Sequence, residues 1–416
     1  MQRPAIFGNV LNACAGALCL AASACTAPTP NPSSTVSAPH APFVSPAPAG
    51  EPEPTLALPR PPSPAEPESL VIVAGGDVSF GREVGQRLVG SPNYAPFAAI
   101  SPLLRQADVR FVNLESQLSD QQGETQSPRH RMIFTGPPEG ARALSAAGID
   151  VVSTANNHAW DYGRSALFET LDHLRAANVR SAGTGRDLEQ AYSPASITVK
   201  GFRVAVFALT HIWNQGPIEK HDGRDYVAWA NVDRLSKAVA QARTANDVVL
   251  VSYHGGAEYQ DAPSDLTRAF AKAMIEAGAD AVIGHHPHVI QGVGFVNARP
   301  VFYSLGNLVF GRRPEHPWTR YGMLARLRIG PEAARRFSVC PYRIDEFEPE
   351  PLSSAPSDPE RIKFLSHLKL ASTAVGGIEL GATDELGCVE VARAPRAFTP
   401  SDLPAAGRAA RSLAVR

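Results

Sequence analysis

Seven short apolar runs, rich in β-branched residues, recur along the chain, and each ends on a polar side chain. They are "LVIVAGGDVSFGR" (70–82), "VRFVNLE" (109–115), "IDVVSTANNH" (149–158), "FRVAVFALTH" (202–211), "DVVLVSYHGG" (247–256), "DAVIGHHPH" (280–288) and "RPVFYSLGN" (299–307). Between several of them lie helical patterns, such as "GRSALFETLDHLRAAN" (163–178) and "PSDLTRAFAKAMIEAG" (263–278). Apolar strands alternating with amphipathic helices specify an α/β sheet covered on both faces. From about Gly322 the pattern changes to "MLARLRIG" and "FSVCPYRIDEFEPE", which alternate and predict antiparallel strands. A helical candidate, "PERIKFLSHLKLAST", follows, and no internal repeat is evident.

The polar terminations narrow the function. The runs stop at Asp77, at Asn113 and Glu115, at Asn156, Asn157 and His158, at His211, at His254, and at His285, His286 and His288. In open α/β sheets the carboxyl ends of the strands line the ligand crevice, so these six ends are expected to converge. Taken singly, Asp77 fits a turn or helix cap, Asn156 and Asn157 fit turn residues, and His254 fits a loop histidine. Glu115 at the end of an apolar strand is harder to dismiss, because unpaired carboxylates are rarely buried. Together the set predicts a metal site. Carboxylate, amide and imidazole donors without thiolate suit Mn, Fe, Zn or Mg rather than a structural thiolate zinc. There are more donors than one ion needs, so one or two divalent ions are expected. Two such ions ~3.5–4 Å apart, bridged by a carboxylate, serve phosphoester hydrolysis.

Composition bears on partners and compartment. With 416 residues, 44% of them apolar, and a formal net charge of −1, the chain is ordinary for a globular protein. That balance argues against nucleic acid, which selects strongly basic faces. Residues 1–25, "MQRPAIFGNVLNACAGALCLAASAC", read as a signal peptide, and "AASAC" resembles a lipoprotein cleavage box with Cys25 as the lipidated residue, although Ala22 replaces the usual Leu. Export to the cell envelope, with membrane anchoring through Cys25 or simple signal cleavage, is the expectation. Residues 26–68 are rich in Pro, Ala and Ser and read as a disordered tether able to reach roughly 100 Å. A folded domain is then expected over 69–393, with a flexible tail over 394–416. Cys340 and Cys388 remain in the folded part. An oxidising exterior permits their pairing without requiring it.

The ordered motifs "GGDVSFGR", "VNLE", "ANNHAWDYG", "HGGAEY", "GHHPHVIQG" and "YSLGNLVFG" resemble the CapA-type capsule and poly-γ-glutamate synthesis proteins. These are relatives of the calcineurin-like metallophosphoesterases, and the resemblance covers roughly residues 70 to 345. It implies a four-layer α/β/β/α sandwich of the metallophosphoesterase type with its metal site at the strand ends. Carried over by position, it implies Asp77, Glu115, Asn157, His254, His286 and His288 as metal ligands, with Glu115 bridging. His158 matches the histidine that protonates the leaving group, and Asp161 the residue that orients it. His285 is assigned a supporting position, because strand alternation would put His286 and His288 on one face. Asn113 and Glu258 are placed with it around the ligands. Arg82, whose planar fork suits phosphate or carboxylate, and Asn307, in the expected pocket wall, are candidate substrate contacts. The sequence departs from the phosphoesterase pattern at "DVS", where Ser79 replaces histidine, so one ion is expected to be weakly held or missing.

The expectation is therefore a metal-dependent hydrolase acting on a phosphoester or an acidic cell-surface polymer. A non-catalytic accessory protein that binds or helps export such a polymer is the alternative, since a fold does not fix a reaction. Amide hydrolysis in the polymer is a third possibility.

Overall fold

The computed structural model describes residues 69–311, 313–330 and 335–394. The expected signal peptide, lipidated Cys25, the tether, and the tail from residue 395 onward lie outside the described residues. The strands in chain order are β1 (Leu70–Val78), β2 (Val109–Leu114), β3 (Gln117–Leu118), β4 (Thr135–Gly136), β5 (Val151–Ser153), β6 (Arg180–Ala182), β7 (Ala195–Val199), β8 (Phe202–Thr210) and β9 (Val248–His254). They continue with β10 (Ala281–His285), β11 (Val293–Val296), β12 (Arg299–Phe302), β13 (Asn307–Val309), β14 (Tyr321–Ile329), β15 (Arg336–Asp345), β16 (Glu348–Pro351), β17 (Ile378–Thr383) and β18 (Val389–Arg393). The α-helices are α1 (Arg82–Gly90), α2 (Ser101–Leu104), α3 (Glu139–Ala146), α4 (Gly163–Ala176), α5 (Leu188–Tyr192), α6 (Val232–Ala245), α7 (Asp265–Glu276) and α8 (Pro359–Thr373).

The strands form two main sheets, not the single sheet that alternation alone suggests. The larger runs β17-β18-β15-β14-β1-β2-β5-β6, with β13 also on β1 and β16 on β15; the smaller runs β11-β12-β10-β9-β8-β7. Each central strand is apolar throughout because both of its faces are buried. Ile72, Phe111 and Val151 face inward and meet Val206, Leu250 and Ile283 of the other sheet. Their neighbours Val73, Val112 and Val152 face outward and pack on Leu88, Leu144 and Leu174 of α1, α3 and α4. On the far side Phe207, Val249 and Val251 pack on Leu235 and Val239 of α6 and on Phe270 and Met274 of α7. The order is thus helices, sheet, sheet, helices, the expected α/β/β/α sandwich.

The predicted elements fall where the patterns put them, with ends set by capping. α7 begins at Asp265 because the Ser264 side chain accepts the Thr267 N–H, satisfying a donor the helix leaves open. α8 likewise starts behind Asp358, which accepts from the Arg361 N–H, and it sinks Phe364 and Leu368 into the core between the sheets. β14 and β15 are antiparallel, as their alternation predicts. Cys340 on β15 and Cys388 are joined in a disulfide, the pairing that the sequence left open.

Candidate metal centre

β1, β2, β5, β9 and β10 all end at the same edge of the sandwich. β1 carries an irregularity between Ala74 and Asp77, where β13 joins it. Here the chain needs glycine: a Cβ on Gly76 would sit 1.9 Å from the Gly306 carbonyl oxygen. The close approach lets the Asp77 N–H donate to the Gly306 carbonyl at 3.0 Å and fixes Asp77 opposite Asn307.

Asp77 is fully buried. Its Oδ1 accepts from Asn113 Nδ2 (2.8 Å) and lies 3.1 Å from His285 Nδ1, while Oδ2 accepts the His286 N–H (3.2 Å). Burial pushes this carboxyl up, but the His285 hydrogen bond and the nearby histidines outweigh it and hold it below the ordinary range. Glu115, also fully buried, goes the other way: burial and the Asp77 and Glu258 charges raise it well above the ordinary value. Burial pushes His254 well below its usual value, His286 down to about 4, and His288 downward. These imidazoles are neutral at pH 7 and offer lone pairs rather than charge.

Two triads result. Donor atoms of Glu115, His254 and His286 lie within 4.8 Å of one another, and so do those of Asp77, Glu115 and His288. Glu115 belongs to both. Its Oε1, together with His286 Nδ1, is buried without a hydrogen-bond partner, which is costly unless something else takes the lone pair. Asn157 Oδ1 lies 2.8 Å from His254 Nε2, placing the amide expected as a ligand beside the first triad. Two oxygen-and-nitrogen triads sharing a carboxylate fit divalent ions, with Glu115 between them.

The expected supporting residues surround this set. His158 Nδ1 is 2.8 Å from Asp161 Oδ2, which also accepts the Phe134 N–H at 3.1 Å. Phe134 packs on the His158 ring at 4.1 Å between centroids, and the Arg82 guanidinium lies 4.3 Å from the other ring centre. Arg82 itself has a left-handed backbone (φ 56°) and donates to the Arg131 carbonyl. Asn113 bridges Asp77 and the His254 ring, whose Nδ1 is 3.3 Å away. Glu258 lines the narrow throat above the site with Arg82, Phe134, His158 and His288. That throat adjoins a cleft of about 1220 Å³, to which Arg82, Arg131 and Arg313 contribute.

One assignment needs correction and another needs refining. β10 ends at His285, and His286 and His288 follow in a turn with left-handed backbones (φ 96° and 59°). Their convergence therefore owes nothing to strand alternation; the turn, held through the His286 N–H to Asp77, aims both rings. Asn307 lines the throat as expected, but it is 1% exposed and its Oδ1 lies 2.8 Å from His288 Nδ1, so its amide oxygen is engaged with the histidine. Sequence reasoning missed Phe134, Arg131 and Arg313, which lie in loops outside the strand-end pattern and carry no local signal. His211, another strand-end histidine, turns away to Tyr253 OH at 3.3 Å.

Residues 71–312 match the family model described as bacterial capsule synthesis protein PGA_cap. The chain is 31% identical over 297 residues to the capsule biosynthesis protein CapA of Bacillus anthracis, covering 70% of this chain and 71% of that one. It is 30% identical over 280 residues to the PGA biosynthesis protein CapA of Bacillus subtilis, covering 67% and 72%. Among solved structures, the NAD nucleotidase of Haemophilus influenzae aligns with a TM-score of 0.40 at 15% identity, covering 73% of this chain and 63% of that one.

Proposed function

This chain belongs to the bacterial capsule synthesis protein PGA_cap family, and from that premise we propose an exported, envelope-anchored metal-dependent hydrolase of the phosphoester type. Its setting would be the metabolism of an acidic cell-surface polymer, as the names of its capsule and PGA biosynthesis relatives suggest. The observation that carries the proposal is the shared carboxylate: Glu115 joins two triads whose other members are neutral imidazoles and Asp77. Asp77, Glu115, His254, His286 and His288 would hold one or two divalent ions, which would supply Lewis acidity to an ester oxygen and lower the pKa of a water.

The chain's own residues do the rest. Asp161 accepts from the Nδ1 side of His158 and would stabilise the imidazolium form, whose Nε2 proton can pass to the departing oxygen in the throat that His158 lines, leaving the neutral ring. Phe134 fixes the plane of that ring, and Arg82 presents its guanidinium beside it for a phosphate or carboxylate oxygen. The Cys340–Cys388 disulfide supports an oxidising location, and anchoring through lipidated Cys25 would place the domain at the membrane surface.

The test uses the purified chain with Mn²⁺ and an aryl phosphate. His158→Ala should lower kcat by roughly 10²–10⁴-fold while leaving bound metal unchanged. Tight metal without turnover, accompanied by binding to polyglutamate, would instead assign the protein an accessory role.

A further inference from the structure

We propose that Asn307 is a positioning residue for His288, accepting the Nδ1 proton and so fixing the tautomer whose Nε2 lone pair faces Glu115. The inference rests on the metal-binding part of the functional proposal, but not on any turnover. His288 Nδ1 is 2.8 Å from Asn307 Oδ1, whereas the nearest Asp77 oxygen is 3.7 Å away, beyond a hydrogen bond. The opposite nitrogen, Nε2, lies 3.7 Å from Glu115 Oε1, the oxygen without a hydrogen-bond partner. An imidazole can bind a cation only through the nitrogen that carries no proton, and the hydrogen bond at one nitrogen decides the other.

Left alone, a neutral imidazole carries its proton mostly on Nε2, which here would turn an N–H toward Glu115. An amide oxygen at Nδ1 reverses that preference. Asn307 is itself held from two sides: its carbonyl accepts the Tyr342 hydroxyl at 2.7 Å, and β13 registers it against Asp77. Tyr342 is fully buried, so the support does not move with solvent. The left-handed backbone of His288 brings the ring to this acceptor, a conformation that a non-glycine residue adopts only where its surroundings dictate it. The chain thus sets the donor face of His288 before any ion arrives.

The experiment uses the full chain with ¹⁵N-labelled histidine rings, stripped of metal by a chelator, with His288→Gln identifying the ring. The wild type should show His288 protonated at Nδ1, and added Zn²⁺ should shift Nε2. Asn307→Ala should move the proton largely to Nε2 and weaken Zn²⁺ binding by about 10–100-fold. Asn307→Asp, which keeps an acceptor, should restore both. A proton on Nε2 in the metal-free wild type, or unchanged Zn²⁺ affinity in a folded Asn307→Ala, would overturn the proposal. If Asn307→Ala does not fold, the wild-type tautomer alone decides. Failure of the aryl phosphate assay with these results intact would remove the hydrolase and leave this inference standing.

Discussion

β10 begins and ends beside a buried acid, and the two acids are treated in opposite ways. At its start, Asp280 accepts the Val249 N–H and pairs with Arg243, Arg299 and Arg335, so it is saturated by fixed cations. At its end lies Glu115, with one oxygen unpartnered among neutral imidazoles. The arrangement at the starting edge is repeated. Asp108, Asp150, Asp247 and Asp280 stand just before β2, β5, β9 and β10 and accept the N–H of Val71, Arg110, Arg203 and Val249 in the adjacent strand, at 2.8–2.9 Å. Each also donates its own N–H to that residue's carbonyl. These acids lock neighbouring strands in register. The acids at the far edge receive hydrogen bonds only from amides, a backbone N–H and a histidine, and they remain open to a cation. A buried carboxylate completed by guanidinium is architecture; one left incomplete beside neutral donors is a site.

The sharpest way to break this contrast is to remove the saturated acid. Asp280→Ala leaves its arginines half-buried without their partner and should cost on the order of 3–5 kcal/mol in urea unfolding. Metal uptake per folded chain should not change. Loss of metal without loss of stability would reverse the roles assigned to the two edges.

A second effect, of similar or smaller size, comes from acid. In the folded metal-free chain His286 is held down to about 4 by burial and by His288, whereas the unfolded chain protonates it near its ordinary value of 6.5. Between those values the unfolded state binds more protons, so this contribution is present above pH 6.5 and is lost as pH falls toward 4. At about 1.4 kcal/mol per pH unit, it amounts to on the order of 3 kcal/mol. Glu115 opposes it, because burial raises its carboxyl and favours the folded state at low pH. The metal-free wild type should therefore show a shallow decline in stability between pH 6.5 and 4, and Glu115→Gln a steeper one. Equal slopes in the two unfolding series would mean that the open edge lacks the electrostatics described.

The smallest effect is expected at the exposed member of the locking set. Asp247 pairs with Arg203 in solvent, so Asp247→Ala should cost about 1 kcal/mol or less by urea unfolding. A loss as large as that of Asp280→Ala would show that strand locking, rather than burial with arginine, carries the effect.

Much of this was legible in the chain. Val- and Ile-rich runs marked the central strands, amphipathic spacing marked α4 and α7, and acids or histidines closing an apolar run marked the open edge. The division into two sheets was not legible from alternation, because a strand buried on both faces reads the same under a helix or under a second sheet. Nor was the locking set: the Asp of "ADV", "IDV", "NDV" and "ADA" reads as an ordinary turn residue until its partner strand is known. The aim of His286 and His288 depends on two left-handed residues that no period predicts. Asn307 was legible as pocket wall, but not its contact with His288, which only the fold brings to it.

The central claim is that Glu115 is the carboxylate shared by a cation site, and Mn²⁺ titration of the chelator-stripped chain tests it most directly. The wild type should take up one or two Mn²⁺, and Glu115→Gln should bind them more weakly by more than the ~10–100-fold typical of losing an outer partner. Equal Mn²⁺ affinity in the two proteins would contradict it.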